Sequence, residues 1–143
     1  MIGKVLFLCV HNSARSQMAE AYLKKFGGNK YQVESAGLEL GTLNPLVIEV
    51  MKEDGIDISQ NPINDVFKFF QEGRLFQYVI TVCDLKAAES CPIFPMMKEK
   101  INWSFEDPAH FTGTQEEKLQ KTRIVRDQIK EAVLDFIEEH END

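Results

Sequence analysis

The chain has 143 residues, 43% hydrophobic, 10% aromatic and 27% charged, enough for one domain over 1–143 with its own apolar core. Sixteen Lys and Arg against 23 Asp and Glu leave a net charge of −7, which argues against broad nucleic-acid binding but leaves room for a small cationic pocket. No apolar run can cross a bilayer and the opening Val5-Leu6-Phe7-Leu8 is too short for a signal peptide, so a cytoplasmic chain with no membrane partner is expected. Three cysteines are an odd count for a disulfide framework, and each needs its own explanation.

Residues 4–9 read as a buried strand, a short apolar run without polar alternation. After the polar stretch His11 to Ser16, Met18, Ala19, Tyr22, Leu23 and Phe26 recur at helical spacing, and Gly27-Gly28 ends that helix. Residues 31–35 form a second strand. Asn44-Pro45 starts a helix that Gly55 closes, and residues 65–70 form a short helix that ends at Gly73. Residues 77–82 are the third strand and 101–105 a weak fourth. Thr114-Gln115-Glu116-Glu117 is a capping box opening a long last helix, with Val125, Ile129, Val133 and Phe136 on one face. The acidic end, 138–143, reads as a solvated terminus, and His110 and His140 as solvated side chains.

Strands alternating with helices imply an α/β fold, a parallel sheet with helices on both faces. Sites in such sheets lie beyond the carboxyl ends of the strands. Cys9 ends the first strand, Cys83 follows the third and Asp107 comes after the fourth, so three chemically capable residues share one edge.

Between Cys9 and Arg15 the chain turns from strand to helix through Val10, His11, Asn12, Ser13 and Ala14. Backbone N–H groups of such a turn, from Val10 to Ser16, converge on a tetrahedral anion at a helix N-terminus. Arg15 can hold two anion oxygens in a fork. The same positive field favours the thiolate of Cys9, its nucleophilic form, to which Ser13 and Ser16 can donate. Asn12 suits a left-handed turn position. The Gly-Lys-Ser/Thr of a nucleotide loop is missing.

Cys9-Val10-His11-Asn12-Ser13-Ala14-Arg15-Ser16-Gln17-Met18-Ala19-Glu20 resembles the active-site loop of thioredoxin-coupled arsenate reductases built on the low-molecular-weight protein tyrosine phosphatase fold. The likeness continues through Ser35-Ala36-Gly37, Asn44-Pro45, Asp57-Ile58-Ser59, Val82-Cys83, Cys91-Pro92-Ile93-Phe94-Pro95 and Trp103-Ser104-Phe105-Glu106-Asp107-Pro108-Ala109. It implies a three-layer αβα fold around a four-stranded parallel sheet. It also implies arsenate as substrate, thioredoxin as electron donor and action as a monomer. A reductase must deliver two electrons, so it needs thiols that end as a disulfide. In the implied relay, Cys9 attacks arsenate, Arg15 holds it and Asp107 protonates the departing oxygen. Cys83 then forms a bridge to Cys9, and Cys91 moves that bridge to Cys83–Cys91. A short helix favoured by Ala87-Ala88-Glu89 would loosen on oxidation. Seven residues separate Cys83 from Cys91, one more than this family usually places there.

The resemblance also implies a potassium site at Asn12, Glu20 and Ser35, with its fourth ligand near Asn64 or Asp65, and no other cofactor. A zinc site from Cys9, His11, Cys83 and Cys91 is disfavoured by the spacing. The rival activity is phosphate-monoester hydrolysis through a Cys9 phospho-enzyme. Ala109-His110 stands where tyrosine phosphatases usually carry ring-holding aromatics, which suggests a small inorganic oxyanion instead.

Overall fold

The computed structural model describes residues 3–83 and 89–141. Along the chain run β1 (Gly3–Cys9), α1 (Arg15–Gly27), β2 (Tyr31–Gly37), α2 (Pro45–Glu53), α3 (Val66–Gln71), β3 (Tyr78–Thr81), β4 (Glu99–Asn102) and α4 (Gln115–Glu139). The four strands pair in parallel in the order β2-β1-β3-β4. Crossover helices cover both faces, which gives the three-layer fold expected from the alternation of elements.

Local signals set the boundaries. Asn44 accepts from the Leu46 N–H and Pro45 opens α2. Thr114 and Glu117 form the reciprocal capping box of α4, a feature worth about 1 kcal/mol. Gly55 and Gly73, both at positive φ, follow α2 and α3. Two expectations need correction. The fourth strand lies at Glu99–Asn102 rather than 101–105. It is a mostly exposed edge strand, while Trp103 and Phe105, which fell inside the expected strand, pack back against the core after the Trp103 N–H closes a last bond to the Thr81 carbonyl at 2.7 Å. His140 is not solvated. It is buried at the end of α4, ring against Tyr78 and Phe136, with Nδ1 2.8 Å from the Phe136 carbonyl. The acidic end is therefore pinned at His140, and its last two residues lie outside the described ones.

Alternation along the strands divides the core into two. Val5, Phe7 and Cys9 face Met18, Tyr22 and Leu23 of α1 and Val125, Ile129, Val133 and Phe136 of α4. Leu6 and Leu8 face the other layer, with Val66 and Phe69 of α3, Phe76 and Phe94. Each fully buried side chain of this size contributes about 1.5–3 kcal/mol. The division decides where each cysteine sits. Cys9 and Cys83 belong to the first cluster, Cys91 to the second.

Candidate active site

The end of β1 carries Cys9 into a loop that turns on Asn12, whose φ of 54° is the left-handed conformation expected of it. That conformation costs an L residue about 1–2 kcal/mol, and the turn is held by a dense set of bonds. The fully buried Asn12 side chain accepts from the Asn64 N–H at 3.0 Å and donates through Nδ2 to Ser16 Oγ at 2.7 Å. Gln17 Nε2 donates to the Asn12 carbonyl at 3.1 Å, and Asn61 holds the other end of the Gln17 amide at 3.1 Å. The segment after β2 straps the loop from outside. The N–H groups of Leu38, Glu39 and Asn44 donate to the carbonyls of Cys9, Val10 and Ser13. A Cβ at Gly37 would lie 2.8 Å from the Asn12 nitrogen, so the strap can pass this close only on glycine.

Within this frame Cys9 Sγ has two donors. The Asn12 N–H reaches it at 3.2 Å and Ser16 Oγ lies at 2.9 Å. Ser16 Oγ already accepts from Asn12, which leaves its proton free to face sulfur. Both groups face the sulfur that the loop carries to the site. Ser16 fills the role expected of it, whereas Ser13 serves the strap through its carbonyl.

Arg15 opens α1, buried, with Nη1 donating to the Phe105 carbonyl at 3.1 Å and Nη2 3.4 Å from Asp107 Oδ2. Its Nε is buried without an acceptor among the described residues. A buried guanidinium N–H without a partner is costly, and an oxyanion held in the loop would supply an acceptor. Asp107 also accepts from the Ala109 N–H, which fixes its carboxyl at the start of a 3₁₀ turn, Pro108–His110. Val10, His11, Arg15, Ser104, Phe105, Asp107 and His110 line an open cleft of about 310 Å³, the size of a small anion with its waters. His11 and the exposed His110 stand at its rim, beside Glu39 and Asp107 respectively.

The remaining cysteines separate. All three are free thiols. Leu8 pairs with Thr81, so Cys9 is level with Val82 and the buried Cys83 lies one residue beyond, in the same core cluster. Cys91 is buried on the other face, its thiol donating to the Pro92 carbonyl at 3.3 Å. Burial pushes the Cys91 thiol above its ordinary value, and the charge of Lys100 offsets part of this. Ala87 and Ala88, where a short helix was expected, lie outside the described residues.

The residues named for potassium do come together, but the Asn12 and Glu20 oxygens already accept hydrogen bonds. Asn12 Oδ1 accepts from Asn64 and Gln17. Glu20 accepts from the Ser35 hydroxyl through one oxygen and from Lys24 Nζ through the other at 2.7 Å. Asn64 turns its Nδ2 donor to the Ser35 carbonyl at 2.9 Å, and Asp65 caps α3 through the Phe67 N–H. A hard cation needs oxygen ligands with free lone pairs, and this set does not fit one. Among the described residues no three His, Cys, Asp or Glu side chains are grouped to hold a metal ion, zinc included.

Several contributors were not legible in the sequence. Asn61 stands in no motif, and Gln17 and Phe105 stand in quoted motifs without a role, because they act through partners distant in the chain. Gly37 was visible only as part of Ser35-Ala36-Gly37.

Among the described residues no helix is long and apolar enough to cross a membrane. An arsenate reductase of Halalkalibacterium halodurans is 43% identical over 135 residues, 94% of either chain. A solved arsenate reductase in its oxidized state superposes with a TM-score of 0.79 at 33% identity, over 96% of this chain and 98% of that one. A thioredoxin-dependent arsenate reductase of Corynebacterium glutamicum superposes with a TM-score of 0.60 at 27% identity, covering 92% of this chain and 61% of that one. Residues 4–143 match the model of the low molecular weight phosphotyrosine protein phosphatases, and the chain belongs to that family.

Proposed function

We propose that the chain is a cytoplasmic arsenate reductase that converts arsenate to arsenite, a detoxification step conferring arsenic resistance, with thioredoxin as electron donor. The observation that carries reduction over hydrolysis is the place of Cys83, buried one residue beyond Cys9 at the same sheet edge. Ester hydrolysis itself needs no second thiol there, whereas two-electron reduction does. The similarity to arsenate reductases over almost the full length of both chains supports the same reading.

In the proposed reaction the loop N–H groups and Arg15 hold arsenate with one oxygen toward Asp107. The Cys9 thiolate attacks arsenic and forms an S–As(V) bond. Asp107 gives its proton to the departing oxygen, which leaves as water. The Cys83 thiolate then attacks Cys9 Sγ. The S–S bond forms, the S–As electron pair stays on arsenic and As(III) leaves as arsenite. Cys91 next attacks Cys83 Sγ and releases the Cys9 thiolate, and the dithiol of thioredoxin reduces the Cys83–Cys91 bridge. Since Cys91 starts on the opposite face of the sheet, this last exchange requires it to leave its cluster.

The test is arsenate-dependent NADPH consumption with thioredoxin and thioredoxin reductase, beside hydrolysis of an aryl phosphate by the same sample. Sustained NADPH oxidation with stoichiometric arsenite supports the proposal. Rapid ester hydrolysis by a protein whose thiols stay reduced in arsenate overturns it in favour of the phosphatase.

A further inference from the structure

A continuous line of polar contacts leads from the protein surface to the Cys9 thiol. Lys24 Nζ, largely exposed, donates to Glu20 Oε2 at 2.7 Å. The hydroxyl of Ser35, fully buried on β2, donates to Glu20 Oε1. Asn64 joins β2 to the loop, with Nδ2 on the Ser35 carbonyl at 2.9 Å and its N–H on Asn12 Oδ1 at 3.0 Å. Asn12 Nδ2 continues to Ser16 Oγ at 2.7 Å, which lies 2.9 Å from Cys9 Sγ.

This is the region where the family resemblance placed a potassium ion, and the donor chemistry disagrees with one. Asn12 Oδ1, both carboxylate oxygens of Glu20 and the Ser35 carbonyl each already accept from an N–H or O–H group. The charges agree with the donors. The ammonium of Lys24 neutralises Glu20, the single carboxylate of the line, and Asn64 adds none. A further cation would leave an unpaired positive charge among the buried Asn12, Ser16 and Ser35, a costly arrangement.

We infer that Lys24 and the Asn64 amide do the work of a bound cation, making them positioning residues that set the Asn12 turn and the donors to Cys9 without potassium. The inference rests on Cys9 as the nucleophile of the proposed function. Its test reads fold stability and thiol reactivity and not arsenite, so the two can fail separately.

Thermal midpoints and the pH profile of Cys9 alkylation, followed by peptide mass mapping, are measured in KCl, NaCl and choline chloride at equal ionic strength. The native chain should show one midpoint and one profile in all three. Asn64→Asp exchanges a donor for a second carboxylate, so its midpoint should fall in choline chloride and recover selectively in KCl. Lys24→Met should shift in the same direction by less, because solvent reaches Glu20 once the ammonium is gone. In both variants the Cys9 profile should move to higher pH in choline chloride as the Asn12 and Ser16 donors loosen. Lys24 is a surface position, so its variant tests the inference even where Asn64→Asp fails to fold. Selective stabilisation of the native chain by KCl would overturn it, and so would a Cys9 profile unmoved in Lys24→Met.

Discussion

Cys9 and Cys91 are both buried thiols on one small sheet, yet their settings differ in kind. Cys9 has two donors aimed at its sulfur, in a loop whose every turn is tied to a second element. Cys91 is itself a donor, in a weak contact with the carbonyl of the next residue, and it packs with Leu6, Leu8 and Phe94. Around it Ile93 and Met96 stand 80% and 84% exposed, and Met96 is held at a positive φ of 62°. One site is preorganised to stabilise charge on sulfur. The other keeps its thiol neutral among apolar side chains. A relay needs this difference, because an equally activated third thiol would compete with Cys9 for the substrate.

The strongest way to break the comparison is Cys9→Ser. A serine hydroxyl is not ionised by these donors, so arsenate reduction and ester hydrolysis should both vanish. Measurable turnover of either substrate would show that the preorganised edge is not where chemistry begins.

Substitution of the other two cysteines sharpens it. Cys83→Ser leaves the loop and Arg15 untouched, so an aryl phosphate should still be hydrolysed while arsenite release stops. Cys91→Ser should allow one turnover and then stall at a Cys9–Cys83 bridge, visible by peptide mass mapping after one equivalent of arsenate. Continued thioredoxin-driven turnover by that variant would reduce the scheme to two cysteines, with Cys91 a packing residue only.

Arg15→Lys should cost at least tenfold in kcat/KM. A lysine keeps the charge but loses the fork and the bond to the Phe105 carbonyl, and one charge-assisted contact is worth about 1.5–3 kcal/mol. Kinetics close to those of the native chain would place the guanidinium outside the anion site.

The smallest expected effect concerns pH. Burial raises the Cys91 thiol, so its thiolate fraction at a given pH lies below that of an exposed cysteine. Alkylation of Cys91 in the reduced protein should therefore be slow at pH 8 and still climbing at pH 9. The same residue in a denatured control should react faster throughout. A native profile matching the control would remove the contrast between the two faces.

Much of this was open to sequence reasoning, because the relevant partners are near neighbours. The capping box joins Thr114 to Glu117 three residues on, and the α2 cap joins Asn44 to Leu46 two residues on. The turn at Asn12 and the Cys9–Arg15 spacing are likewise properties of one short segment, and the order of strands and helices that defines the fold class is read from a succession of such local signals. Folding alone assigned the rest, since the groups involved are far apart in the chain. Arg15 meets the Phe105 carbonyl 90 residues away, and Asn12 meets Asn64 across 52. An aromatic pair after β4 looked like strand and folds back as core, and a histidine in an acidic tail looked solvated and is buried under two rings. The layer that holds Cys91 depends on how the chain after β3 crosses the sheet, and neither the count of residues between two cysteines nor their polarity encodes that path.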